Sequence, residues 1–389
     1  MTTSTDDRRT LLTAATTAAV DRVRANVDRF GMLYPDDTTA DDRYPLRPAA
    51  PGFAEGANRG WTTGFWPGMQ WLAVQTGARD LIDPAQRHAA DFRRRVVARE
   101  ELDHHDLGFL YTLSCVADWR ATGDEQSRDT AVEAARLLLG RVLEPAGIVQ
   151  AWGDLTDPAH RGRTIIDSLM NMPLLTWAGE ITGDPVFADI VRRHTEQLRR
   201  HIVRADGSTF HAFVWDPETG EPVGGNTEQG AGDGSCWSRG QAWGIYGFAL
   251  NHEATGDPGL LTAAETCADY FLAHLPADRV PYWDLVYTDG SDAPRDSSAS
   301  AIAVCGLHEL ARLGSTPERR ETYRVAAEDL LVRLVETCTP APDASDALLL
   351  HSVYDAPRGI GVDEGSLWGD YFYLEALVRH TVSDWQRPW

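Results

Sequence analysis

The chain has no lysine. Its 36 basic residues are all arginine, set against 58 acids in 389 residues, for a formal charge of −22. Without an ε-amine there is no Schiff-base nucleophile, no pyridoxal-phosphate anchor and no Walker-type phosphate loop. So large an excess of negative charge repels phosphate, so neither nucleic acid nor an anionic membrane surface is expected as a partner. No uncharged apolar stretch approaches the ~20 residues that a membrane helix requires. Cysteine is scarce too. Cys115, Cys236, Cys267, Cys305 and Cys338 are odd in number, widely spaced and free of CxxC pairs. They read as reduced core residues of a cytoplasmic protein. Arg8-Arg9 ahead of Leu11-Leu12 faintly resembles an export signal. The run continues into Val20, Val23, Val27 and Phe30 on one helical face, so a first structural helix is expected instead.

What the chain does have is apolar sequence, at 43% hydrophobic, and a repeated punctuation mark. Thr76-Gly77-Ala78, Thr122-Gly123-Asp124, Thr182-Gly183-Asp184, Thr255-Gly256-Asp257 and Leu313-Gly314-Ser315 each close an apolar run and open an amphipathic one. Glycine just past a helix end supplies a left-handed cap, and Asp or Ser then caps the next helix. The first arm of each hairpin is apolar nearly all round; the second carries one apolar stripe and an Arg/Glu face. Twelve helices are expected, near 9–30, 62–77, 80–98, 106–122, 125–143, 165–182, 184–203, 236–255, 258–275, 297–314, 317–338 and 365–381. Inner helix, tight turn, outer helix and long loop, repeated six times, predict an all-α (α/α)6 toroid. Short extended pieces are expected at Ile148–Trp152 and Thr209–Trp215. No linker or composition shift divides the chain, so residues 1–389 read as a single catalytic domain.

In such a toroid the long loops arrive at one rim, at the N-terminal ends of the inner helices. The unusual residues gather there: Trp61, His104-His105-Asp106, Trp152, Asp167, His211, Gln229, Trp237, Arg239, Trp243, Asp296-Ser297-Ser298 and Ser366-Leu367-Trp368. Aromatic rings at a polar rim suit sugar rings, which stack their C–H faces while hydroxyls reach polar neighbours. Asp106 and Asp167 begin adjacent inner helices. Each reads either as an N-cap or as half of a carboxylate pair sharing an apolar cavity, one acid and one ionised. Neighbouring residues at a helix start point apart and no second ligand cluster follows, so no metal is expected at His104-His105-Asp106. Arg239 in a buried first turn needs an anion, either a ligand carboxylate or an internal partner such as Asp233 or Glu228.

Several stretches together resemble glycoside hydrolase family 88, the unsaturated glucuronyl hydrolases. They are Trp61-Thr-Thr-Gly-Phe-Trp-Pro-Gly, His105-Asp106-Leu107-Gly108-Phe109, Ile165-Ile166-Asp167-Ser168-Leu169-Met170-Asn171, Ser238–Phe248 and Trp368–Leu377. The resemblance spans about residues 60 to 380. It implies removal of a 4,5-unsaturated uronic acid from the non-reducing end of lyase-generated oligosaccharides, by hydration of the enol-ether double bond. It also implies Asp167 as acid and base, Asp106 as its ionised partner, and substrate contacts at Trp61, His105, Trp152, His211, Gly225, Thr227, Gln229, Arg239, Trp243, Tyr354 and Arg358. The partners implied are short unsaturated uronyl oligosaccharides, and no cofactor or metal. Asp355 in the loop Tyr354–Gly359 would repel a sulfate, which Arg358 could offset, and a preference for an unsulfated sugar is expected. The competing readings are an unsaturated rhamnogalacturonyl hydrolase, and a non-hydrolytic epimerase or sugar-binding protein on the same toroid.

Overall fold

Glycine stops four of the inner helices where the hairpin motif predicts. In the computed structural model, which describes residues 5–389, Gly77, Gly123, Gly183 and Gly256 have φ of +102°, +79°, +71° and +72°. A left-handed residue turns the chain out of the helix and frees the next residue to cap its successor. Asp124, Asp184 and Asp257 do so, accepting amide hydrogen bonds from Gln126 and Ser127, Val186, and Gly259.

Thirteen α-helical segments result: α1 (Thr5–Phe30), α2 (Phe65–Gln75), α3 (Ile82–Ala98), α4 (Leu107–Tyr111), α5 (Ala117–Thr122), α6 (Glu125–Leu139), α7 (Met172–Thr182), α8 (Pro185–His201), α9 (Ser238–Thr255), α10 (Pro258–Ala273), α11 (Ser297–Leu313), α12 (Pro317–Thr337) and α13 (Leu367–Thr381). A π-turn over Thr112–Val116 joins α4 to α5, so the pair acts as one inner helix. Helices α2, α4–α5, α7, α9, α11 and α13 pack in sequence, and α13 returns to α2 to close the inner ring. They are buried on nearly every side, as their all-round apolar character requires. The outer helices bury one stripe; on α8 it is Phe187, Ile190, Val191, His194, Thr195 and Leu198.

The structure departs from the sequence expectation in four places. The chain starts on an outer helix, so the sixth pair joins the two ends, α1 packing on α13. Gly314 is not left-handed, with φ −49°, and Thr316 rather than Ser315 caps α12. A Cβ at Gly314 would sit 2.7 Å from the Leu310 carbonyl, so close approach accounts for that glycine. The segment expected as helix from 165 is a strand to Ile165, a 3₁₀ turn over Ile166–Met170, and only then α7. The long loops also hold more sheet than the two extended pieces: β1 (Val142–Leu143) pairs with β2 (Ile148–Val149), β3 (Arg163–Ile165) with β4 (Ala212–Trp215) and β5 (Pro222–Asn226), and β6 (Ser352–Asp355) with β7 (Ile360–Glu364), all antiparallel. These small sheets stiffen the loops at the N-terminal mouth. No described helix is long and apolar enough to cross a membrane.

Candidate active site

Two loops bring the carboxylates together. Asp106 ends the loop before α4, and Asp167 lies in the 3₁₀ turn after β3. Neither side chain caps its helix, which removes the N-cap reading. The start of α4 docks directly on the Asp167 turn. Phe109 N donates to Asn171 Oδ1 at 3.0 Å, and a Cβ at Gly108 would lie 2.3 Å from the Asn171 Cα. Glycine at 108 is what allows this approach.

His105 bridges the pair, its Nε2 3.3 Å from Asp106 Oδ1 and 3.7 Å from Asp167 Oδ1. The expectation that neighbouring His105 and Asp106 point apart is therefore wrong, because Asp106 precedes the helix instead of standing on it. Donor atoms of His105, Asp106 and Asp167 all lie within 4.8 Å of one another, forming the single such cluster of potential cation ligands among the described residues. Burial pushes Asp167 well above the ordinary carboxyl range and the facing Asp106 charge adds to it, with Arg239 opposing. Burial also works to raise Asp106, but the imidazoles of His105 and His104 and the Arg141 guanidinium outweigh it and hold this carboxyl below the usual value. Burial drives His105 down to about 4 against the pull of Asp106, so its ring is neutral at pH 7. One carboxyl is pushed up beside one held low, the kind of divergence by which two carboxylates can divide acid and base roles.

A cavity of about 460 Å³ opens over the pair, lined by Trp61, His104, His105, Asp106, Trp152, Arg163, Asp167, His211, Glu228, Gln229, Tyr354 and Arg358, with Gly60 and Ile165. Five of the six long loops contribute; the loop before α11 reaches it only through Asp296, behind Arg239. Trp61 stacks on buried Trp368 at 5.5 Å and donates its Nε1–H to the Tyr354 hydroxyl. His211 has its tautomer set by the backbone. Its Nδ1 accepts the amides of Glu228 and Gln229 at 3.1 and 3.2 Å, so the ring proton sits on Nε2. Burial, with Arg239, pushes this imidazole down to about 3, making it a neutral donor.

Four expected contacts do not line the cavity. Arg239 is fully buried and paired inside, with Asp296 at 3.2 Å, the Tyr354 carbonyl at 2.8 Å and the Val353 carbonyl. Its partner is thus neither a free ligand site nor the expected Asp233 or Glu228; its field, not its fork, reaches Asp167. Trp243 is buried in the core, packed on Phe109 and Phe372 at 5.5 and 5.3 Å. Gly225 makes room for the Phe210 ring, which a Cβ would meet at 2.3 Å. Thr227 shapes its own loop, its hydroxyl accepting from Gly230 N. Asp355 is buried and bound to Arg358 at 2.8 Å, so of this pair only Arg358 lines the cavity. Arg163, paired with Glu228 at 3.2 Å and lying over the Trp152 ring at 5.4 Å, was missed. The available signal was strand alternation: Arg163 and Ile165 share a face that Asp167 then follows.

The model of Glycosyl Hydrolase Family 88 matches residues 41–344. The chain is similar to the unsaturated chondroitin disaccharide hydrolase of Streptococcus pneumoniae (strain ATCC BAA-255 / R6), 42% identical over 382 residues, 95% of this chain and 93% of that protein. It is 43% identical over 357 residues to the unsaturated glucuronyl hydrolase of Bacillus sp. (strain GL1), 91% of this chain and 92% of the relative. The crystal structure of the unsaturated glucuronyl hydrolase from Streptococcus agalactiae superposes with a TM-score of 0.92 at 40% identity, covering 100% of this chain and 98% of that one.

Proposed function

The chain belongs to glycosyl hydrolase family 88, and from that premise we propose how its two carboxylates share the reaction. The protein is a glycoside hydrolase that releases the 4,5-unsaturated uronic acid from the non-reducing end of lyase-generated oligosaccharides. Asp167, protonated, gives its proton to C4 of the enol ether, leaving positive charge on C5 and the ring oxygen. The carboxylate so formed takes a proton from water as that water adds to C5. The resulting hemiketal opens to a ketone at C5, and the exposed hemiacetal at C1 releases the partner sugar. One water is added overall and Asp167 is restored. Asp106 stays ionised, accepts from the ring hydroxyls and stabilises the transient cation. His211 Nε2–H and the Gln229 amide supply neutral donors to the uronate, and Trp61 and Trp152 supply stacking surfaces. Five buried, unpaired cysteines support a cytoplasmic setting.

The observation that carries this reading is a pair of facing carboxylates, one pushed well above its ordinary range by burial and one held low, in a sugar-sized, Trp-lined cavity. Asp167→Asn tests it. Loss of the conjugated enoate's ultraviolet absorbance should slow about a thousandfold or more while the disaccharide still binds. Retained turnover would overturn the assignment.

A further inference from the structure

No side chain hydrogen-bonds Asp167 Oδ1 to aim it; His105 Nε2 stands 3.7 Å away. That oxygen is buried without a hydrogen bond, so the direction of the acid is set by the 3₁₀ turn that carries it. That turn is tied from behind. Ser168 Oγ donates to the Ile165 carbonyl at 2.6 Å and accepts from His194 Nε2 at 2.8 Å. His194 stands on the outer helix α8, fully buried. Its other nitrogen, Nδ1, accepts the Val149 amide at 3.0 Å. Because Nδ1 accepts, the proton must sit on Nε2, and the relay has one direction: Val149 N–H to His194, His194 N–H to Ser168, Ser168 O–H to Ile165. Burial, with His105 nearby, pushes this imidazole down to about 3, so no change of pH in the working range reverses it.

The far end of the relay leads to the other carboxylate. Val149 ends β2, from which the chain runs on to Trp152. Thr164 Oγ1 donates to the Val149 carbonyl at 2.8 Å, and two residues on, the Ala151 carbonyl accepts the His105 amide at 3.1 Å. His104 pairs with Trp152 in the same register. One imidazole thus binds the turn that holds Asp167 and the strand that holds His105 and Asp106.

We propose that His194, acting through Ser168 and Val149, is a positioning residue for the hydration reaction, fixing the separation and aim of the two carboxylates. This rests on the assignment of Asp167 as the acid. A relay of this kind serves the chemistry because the pKa of Asp167, raised by burial and further by the Asp106 charge, depends on the turn staying buried and near Asp106. In a loosened turn, ionised Asp167 can swing away from Asp106, which eases its ionisation.

Ser168→Ala and His194→Phe test this, with Asp167→Asn measured in parallel. Ser168→Ala removes one oxygen from a buried site and is the milder change; it decides the matter if His194→Phe does not fold. The expected result is a kcat lower by about ten- to a hundredfold, with KM within about twofold. The basic limb of the kcat profile, where the acid loses its proton, should move to lower pH. The charged and titratable groups facing Asp167 are Asp106, His105 and Arg239, and both variants leave all three in place. A basic limb unmoved in Ser168→Ala overturns the proposal, whatever happens to Tm or KM. If Asp167→Asn is inactive while Ser168→Ala keeps its limb, the positioning role alone falls; if Asp167→Asn turns over normally, the acid assignment falls with it.

Discussion

At one mouth of the toroid Asp106 and Asp167 face each other; at the other, Glu309 faces three guanidiniums. The far mouth gathers the C-terminal ends of the inner helices. There Glu309 meets Arg379, Arg387 at 2.6 Å and Arg312 at 2.7 Å, while Arg379 also holds Glu375 at 3.1 Å. Burial works to raise Glu309, but the charges of Arg379 and Arg387 outweigh it and hold the acid far below its ordinary value. Size and aromatic lining do not distinguish the two ends. Glu309 lines a cavity of about 410 Å³ with Trp385 at its wall, and a neighbouring cavity of about 750 Å³ that shares Arg387 presents Trp71, Trp119 and Trp177. The difference lies in what each buried acid sees. An acid clamped by arginines cannot deliver a proton near neutral pH; an acid facing another acid can.

The largest test of that contrast is Glu309→Gln, which leaves three guanidiniums short of a partner. Denaturant titration should show a loss of about 3–5 kcal/mol, with kcat of the folded fraction unchanged. The pH dependence of the wild type follows from the same pair. A carboxyl depressed on folding contributes stability that is complete above its unfolded value of 4.5 and fades as pH falls from there toward the folded value. Next comes Asp106→Asn at the near mouth. Its kcat should drop about a hundredfold, roughly 2.7 kcal/mol of transition-state stabilisation. Without the neighbouring charge Asp167 ionises more easily, so the basic limb of the kcat profile should shift to lower pH; a shift upward would contradict the pairing. Trp152→Ala should raise KM about tenfold by removing a stacking face, with little effect on kcat. The smallest effect is expected from a chelator. Prolonged dialysis against EDTA should leave turnover unchanged, and activity lost to EDTA and restored by one divalent ion would recast the His105, Asp106 and Asp167 cluster as a cation site.

The helices were legible because their signals are local. The Thr-Gly-Asp marks record a left-handed cap and an N-cap within three residues, and the apolar character of each arm tells inner from outer. Nine residues named as site candidates line the cavity, since each stands within a loop that such a fold sends to one rim. Arg239 shows the limit. Its sequence position identifies a buried cation that needs an anion, but Asp296 lies 57 positions away, and no local pattern selects it over Asp233 or Glu228. The strand at Arg163–Ile165 was hidden for a related reason: its partner β4 begins 47 positions beyond its end, so the apolar run reads as the start of a helix.

By itself the sequence determined the ring of helices, the exclusion of amine and phosphate-loop chemistry, and the two aspartates at the rim, because caps, periodicity and composition act over a few residues. Only the tertiary structure decided which aspartate is pushed above its ordinary range, which arginine is already paired, and at which mouth two carboxylates face each other. Those properties depend on burial and on the distance between charges far apart in the chain, and such distances exist only once the ring has closed.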